Sequence, residues 1–228
     1  MNNVVDGLSK FEQISIQQAN REFWLNVIVA LITFISAILV YLDYRNRKNK
    51  ERAEKSINIA EEFAQSIIPK ISILFKHYES IKLMDIVNTV KFINFSDFDT
   101  DEMKELYSKE DIKKYKQISA RNNTFKINEQ DIELSGFVTT ILNELEHMCM
   151  YITTKVADEK YIYNSLHQQF FKAISTVYLN ICITNTNDKD KYYTNIIAVF
   201  NLWKKKYIKA TKKEKRIKKK LKPQTPKI

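Results

Sequence analysis

The residue pattern points to an all-α protein, a single N-terminal transmembrane helix followed by a cytoplasmic helical bundle. Three observations lead there. Only two glycines (Gly7, Gly136) and three prolines (Pro69, Pro223, Pro226) occur in 228 residues, too few for the many tight turns of a strand-rich fold. Residues 23–42, FWLNVIVALITFISAILVYL, run for twenty residues without a charge. Beyond them, apolar residues recur three and four apart in segment after segment, the spacing of helices that bury one face. The expected organisation is an extracytoplasmic segment (1–22), the span (23–42), a bundle (43–203) and a polybasic tail (204–228).

Twenty helical residues rise roughly 30 Å, the hydrocarbon thickness of a bilayer. Seventeen of the twenty are apolar or aromatic, the exceptions being Asn26, Thr33 and Ser36. Trp24 and Tyr41 sit near the two ends, where amphipathic rings favour the headgroup boundary. A cleavable signal fits less well, because the preceding MNNVVDGLSKFEQISIQQANRE is long and mixed in charge and no small-residue pair follows Leu42. The flanks set direction. Arg45, Arg47, Lys48, Lys50, Arg52 and Lys55 follow the span, against Lys10 and Arg21 before it. The positive-inside rule then places the N-terminus outside and the body in the cytoplasm. Asn26, Ala30, Thr33 and Ala37 fall on one face at 4-3-4 spacing, a small and hydrogen-bonding surface suited to helix association and hence to a homo-oligomer. The alternative is a hydrated Asn26 with ordinary filler around it.

After the span, Ala53, Ile57, Ala60, Ala64, Ile67, Ile71, Leu74 and Tyr78 repeat at alternating four and three, the seam of a coiled coil or of one wall in a bundle. Pro69 is expected to kink this helix. The stretch 83–135 holds a short apolar run (DIVNTVKFINF), an acidic helical piece near 100–118 and a polar loop around 120–130. Three amphipathic helices follow and favour the bundle. The first starts with Ser135 as its cap and buries Val138, Ile141, Leu145, Met148, Ile152 and Val156. In the second, acidic residues occupy the first turn and Ile162, Leu166, Phe170, Ala173, Val177 and Ile181 form the stripe. The third aligns Tyr193, Ile196, Phe200, Trp203 and Tyr207.

The string ILNELEHMCMYITTKVADEKYIYNSLHQQFFKAISTVYLNI, behind one basic-flanked anchor, resembles membrane-anchored bacterial proteins of domain-of-unknown-function family 4760, some relatives of which are named for phage abortive infection. The resemblance covers mainly 137–203 and rests on Glu144 and Glu146, the Ala157-Asp158-Glu159 turn and the Tyr/Trp-rich last helix. It implies a bacterial inner-membrane address and a role in phage defence, and it supplies no catalytic residues.

Residue-level chemistry argues against an enzyme. DFDTDEMKELYS sets Asp97, Asp99 and Asp101 as in a calcium loop, yet Glu102 stands where glycine is needed and Ser108 where a bidentate glutamate is needed. Glu144-x-x-His147 is half of a di-iron motif, and neither His77 nor His167 completes a second half. Two glycines exclude a glycine-rich phosphate loop. Cys149 and Cys182 read as reduced, buried thiols. No catalytic residue, metal ligand or cofactor is expected.

The formal charge of +10 is concentrated in one place. From 204 to 228 thirteen Lys/Arg face the single Glu214, a net of +12, so the remaining chain carries −2 by difference. The candidate anionic-surface residues are Lys204, Lys205, Lys206, Lys209, Lys212, Lys213, Lys215, Arg216, Lys218, Lys219, Lys220 and Lys222. Anionic inner-leaflet lipid is the leading partner; nucleic acid and a solvated tail are the alternatives. If the last three helices alternate in direction, the final one returns its basic end toward the bilayer. The functional expectation is a non-enzymatic, membrane-tethered interaction or sensor module with an unknown protein partner. The alternatives are a membrane-permeabilising effector acting through its oligomerised anchor and a membrane-bound nucleic-acid tether.

Overall fold

Helix α1 (Lys10–Glu62) carries the apolar stretch. A computed structural model describes residues 10–186 and 191–221, with side chains over 18–186 and 191–216. Residues 1–9 of the expected extracytoplasmic segment and Lys222 of the expected tail lie outside the described residues. The chain divides into two units, Met1–Glu51 and Arg52–Ile228. In the first, every described side chain except the half-buried Val27 is exposed. Its apolar window has a mean hydropathy of 2.5 with no share of it buried, so α1 is long and apolar enough to cross a membrane.

The second unit begins with the last turns of α1, a π-helical turn (Phe63–Ile67) and α2 (Ile68–Ser80). Pro69 lacks an N–H, and its ring crowds the carbonyl four residues back, that of Gln65. The wider π turn lies directly before Pro69 and takes up that clash. It also shifts the seam. Ile57 is 55% exposed and Ala64 is exposed, whereas Ser56, Ile59 and Phe63 are buried. One inserted residue explains this, because a regular repeat carried back from Ile67 lands one position late. Ile67, Ile71, Leu74 and Tyr78 keep the expected register.

The stretch 83–135 is more structured than its composition suggests. Short helix α3 (Met84–Val87) and a 3-10 turn (Phe92–Asn94) replace the apolar run, and α4 (Thr100–Leu106) and α5 (Lys109–Arg121) split the acidic piece. Asp99 caps α4 by accepting the Glu102 amide at 2.8 Å, and Ser108 caps α5 by accepting the Asp111 amide at 3.0 Å. The polar loop is in fact a hairpin, β1 (Thr124–Ile127) paired antiparallel with β2 (Gln130–Glu133). Its two-residue turn, Asn128-Glu129, holds both residues left-handed (φ 50° and 68°), a conformation usually signalled by glycine. Apart from this hairpin the regular structure of the described residues is helical.

Helix α6 (Leu134–Thr153) follows the hairpin without a break, so Ser135 is not its cap; its hydroxyl donates to Glu133 at 2.6 Å instead. Val156 falls beyond the helix and is 46% exposed, since the chain turns at Lys155 (φ 59°). The other five residues of that stripe, and all six of α7 (Glu159–Thr184), are buried. α8 (Thr194–Leu221) buries Ile196, Phe200 and Trp203.

Contacts within this unit give each helix a direction. Let the proximal end be the one holding Arg52–Ser56, where the chain leads in, and the distal end the one holding Tyr78. α6 runs from distal to proximal: Phe137 packs on Phe125, which stacks on His77, and farther along Lys55 lies 4.5 Å over the Tyr151 ring. α7 runs back, from Asp158 beside Ser56 to Asn180 beside Tyr78. α8 returns, with Trp203 against Tyr163 and Lys206 paired with Glu159. The expected alternation of the last three helices is the observed one.

The core is aromatic and tied at one point by polar groups. Phe95 stacks on Tyr178 at 3.6 Å between ring centres, with Phe98 and Phe200 edge-on nearby. The buried Tyr78 and Tyr115 and the half-buried Asn180 form a triad joining α2, α5 and α7. Tyr115 donates to Asn180 Oδ1 at 2.8 Å and Tyr78 to the same oxygen at 3.2 Å. A buried hydroxyl with its partner in place contributes about 0.5–1.5 kcal/mol. Tyr115→Phe is therefore expected to lower the stability of the body by about that much, read as a reduced urea midpoint with an unchanged slope.

Candidate functional site

The basic residues lie on α8, and three buried or half-buried acids decide how that helix is held. At its start, Glu146 of α6 accepts the Asn195 amide at 3.0 Å, the Asn195 side-chain amide at 2.8 Å and the Ile196 amide at 2.9 Å. The first turn of a helix has unpaired N–H groups and a positive dipole end, so this carboxylate caps α8 from a neighbouring helix. Midway, the loop before α4 is closed by Glu102, which accepts the amides of Asp97 (2.9 Å) and Phe98 (2.6 Å) and also that of Ser96. Lys204 donates to the Phe95 carbonyl of that loop, and Asn201 to the Ser96 carbonyl at 2.8 Å. Burial lowers the pKa of Lys204, while Glu102 and Asp97 counter that shift. At the proximal end, Glu159 pairs with Lys206 and Tyr207 packs on Phe171 and Phe92.

The tail expected from residue 204 thus begins later. Lys204 and Lys206 are engaged by the body, and the helix is continuous through residue 204. Lys205, Lys209, Lys212, Lys213, Lys215 and Arg216 are exposed. Lys205, Lys209, Lys212 and Arg216 repeat at 4-3-4 spacing, so they line one face beside the half-buried Ile208. Lys218, Lys219 and Lys220 belong to α8, but their side chains lie outside the described residues, as does Lys222 altogether. A row of ammonium and guanidinium groups with an apolar residue between them suits a polyanionic surface.

The other expected sites resolve as follows. Asn26, Ala30, Thr33 and Ala37 are all exposed on α1, and Thr33 donates its hydroxyl to the Val29 carbonyl of its own helix at 2.9 Å. Glu144 accepts from Ser66 at 3.2 Å and pairs with Lys70, while His147 packs edge-on against Tyr151. Among the described residues no three His, Cys, Asp or Glu side chains gather as metal ligands. Of the calcium-like acids, Asp99 is a helix cap whose pKa is lowered chiefly by the Glu102 amide, and Asp101 pairs with Lys104 at 2.9 Å. Cys149 and Cys182 are free, buried thiols whose pKa values burial raises. In the sequence Glu159 reads as a first-turn acid, Glu146 as one of the residues that carry the family resemblance, and Glu102 as the residue that breaks the calcium-loop pattern. Their partners are 49 or 50 residues away for Glu146 and 47 for Glu159, and no local pattern reveals such pairs.

No family model, curated protein or solved structure matches this chain.

Two outcomes follow from the geometry. Glu146→Ala strips the first turn of α8 of its acceptor and is expected to cost about 1–3 kcal/mol, with faster hydrogen exchange at the Asn195 and Ile196 amides. Neither thiol is expected to react with a maleimide at pH 8 in the folded protein, and both are expected to react once urea unfolds it.

Proposed function

We propose that the chain is a non-enzymatic, membrane-tethered interaction or sensor module, spanning the inner membrane once with its N-terminus outside. The cytoplasmic body engages anionic inner-leaflet lipid through α8. The single observation that carries this reading is the direction of α8, which runs toward the proximal end of the body with its free cations beyond Lys206. Arg52 is ten residues past Leu42. That length of chain reaches about 15 Å as helix and at most about 35 Å extended, an upper bound on the separation of Arg52 from the end of the proposed span. From Lys206 to Leu221 α8 continues for fifteen residues, a rise of roughly 22 Å.

Each basic group near an anionic leaflet contributes about 1 kcal/mol, and salt screens the attraction over about 8 Å. Five exposed cations from Lys209 to Arg216 therefore suffice for a reversible, salt-sensitive contact. Such a contact lets the body report on, or respond to, the state of the membrane. Phage defence enters this reading through the resemblance of 137–203 to membrane-anchored abortive-infection relatives.

The test places an environment-sensitive fluorophore on Lys213→Cys of the full chain in nanodiscs, using headgroup-labelled quencher lipid. Quenching is expected in phosphatidylglycerol discs, with relief at about 0.5 M salt and little quenching in phosphatidylcholine. Equal signals in the two lipids, or protection by duplex DNA but not by anionic lipid, would overturn the lipid reading.

A further inference from the structure

The body has a second feature that the basic helix does not use. Between α2 and α7 lies a cavity of about 280 Å³. Phe63, Ile71 and Ala173 line it from the core, and Phe75 lines it nearer the mouth. Lys76 and Lys172 also line it, both exposed, with the Lys172 ammonium 4.6 Å above the Phe75 ring.

The chemistry of this cavity selects one kind of occupant. Its inner wall is hydrocarbon and aromatic, so a ligand gains by burying an apolar chain there. Among the described residues neither Lys76 nor Lys172 forms an ion pair. Lys172 rests instead on an aromatic face, an attraction of only about 0.5–1 kcal/mol at an exposed site, and it is easily re-aimed at an anion. The lining holds two ammonium groups and the single carboxylate of Glu79. An anionic head is therefore favoured and a cationic one repelled.

We propose that this cavity binds a single-chain anionic amphiphile, its hydrocarbon against Phe63, Ile71 and Phe75 and its head between Lys76 and Lys172. The head is a carboxylate, as in a free acyl chain, or a phosphate, as in a cleaved lipid. None of the cations of α8 takes part, so the site stands or falls independently of lipid binding by that helix. Its occupancy would tighten α2 against α7.

The experiment uses the full chain in phosphatidylcholine nanodiscs and follows thermal unfolding while octanoate, octyl phosphate, octanol or octyltrimethylammonium is titrated. Octanoate or octyl phosphate is expected to raise the unfolding midpoint by about 5 °C at saturation, and the better of the two identifies the head. Octanol should give a smaller rise, and octyltrimethylammonium none. Lys172→Glu, at an exposed position, should lower the unliganded midpoint by no more than about 1–4 °C through loss of its cation–π contact and abolish the anion response, while Ser72→Trp at the mouth should block every response. The proposal is overturned if neither anion shifts the midpoint, if the cationic amphiphile does so equally, or if Lys172→Glu responds like the unaltered chain.

Discussion

The Ser56 hydroxyl accepts the Asp158 amide at 2.7 Å and donates to the Arg52 carbonyl at 2.7 Å, in a place where Ser56 is only 1% exposed. This small buried corner pins the start of α7 to the point where the chain leads into the body. Asp158 then caps α7 through the Lys160 amide at 3.0 Å, and the next residue, Glu159, takes Lys206 of α8. With α7 fixed at that end, its length carries Asn180 to the distal triad, and α8 must come back. A serine hydroxyl here does what a larger apolar residue could not, since it fits the space and satisfies a backbone N–H that burial would otherwise leave unpaired.

The division of charge follows from the same economy of partners. Glu102, Glu146 and Glu159 are drawn inward, two onto backbone amides and one onto a lysine. Oriented N–H groups favour the charged form of a carboxylate held away from water, and in this way Glu102 shapes the loop before α4 and Glu146 the first turn of α8. None of the three lies among the cations beyond Lys206, where Glu214 stands alone. The surplus of positive charge on α8 is set by composition, and folding places it on one helix. Held on one continuous helix, it becomes a directed surface.

Much of this was legible in the residue pattern, and the failures have physical causes. The stripes of α6 and α7 and the inward residues of α8 appear in the sequence because each helix buries a single face at a constant period. The seam before Pro69 was read one residue late, because a π turn changes that period without changing composition. The hairpin at Thr124–Glu133 was missed since its turn uses Asn128 and Glu129 in a conformation normally marked by glycine. Ser135 looked like a cap because the residue type is right, yet β2 runs directly into α6 and no free helix start exists there. The basic tail was visible as charge, whereas the boundary between docked and free lysines depended on Phe95 and Glu159, far away in the chain.

The account rests on α8 returning to the end at which the chain leads into the body. Spin-label distances within the body test this most directly, because Cys149 and Cys182 are buried and labels can be confined to introduced cysteines. Lys209→Cys is paired in turn with Ile57→Cys near the proximal end and with Glu79→Cys near the distal end, all three positions being exposed. The account predicts the shorter distance for the pair with residue 57. A shorter distance to residue 79 would contradict it.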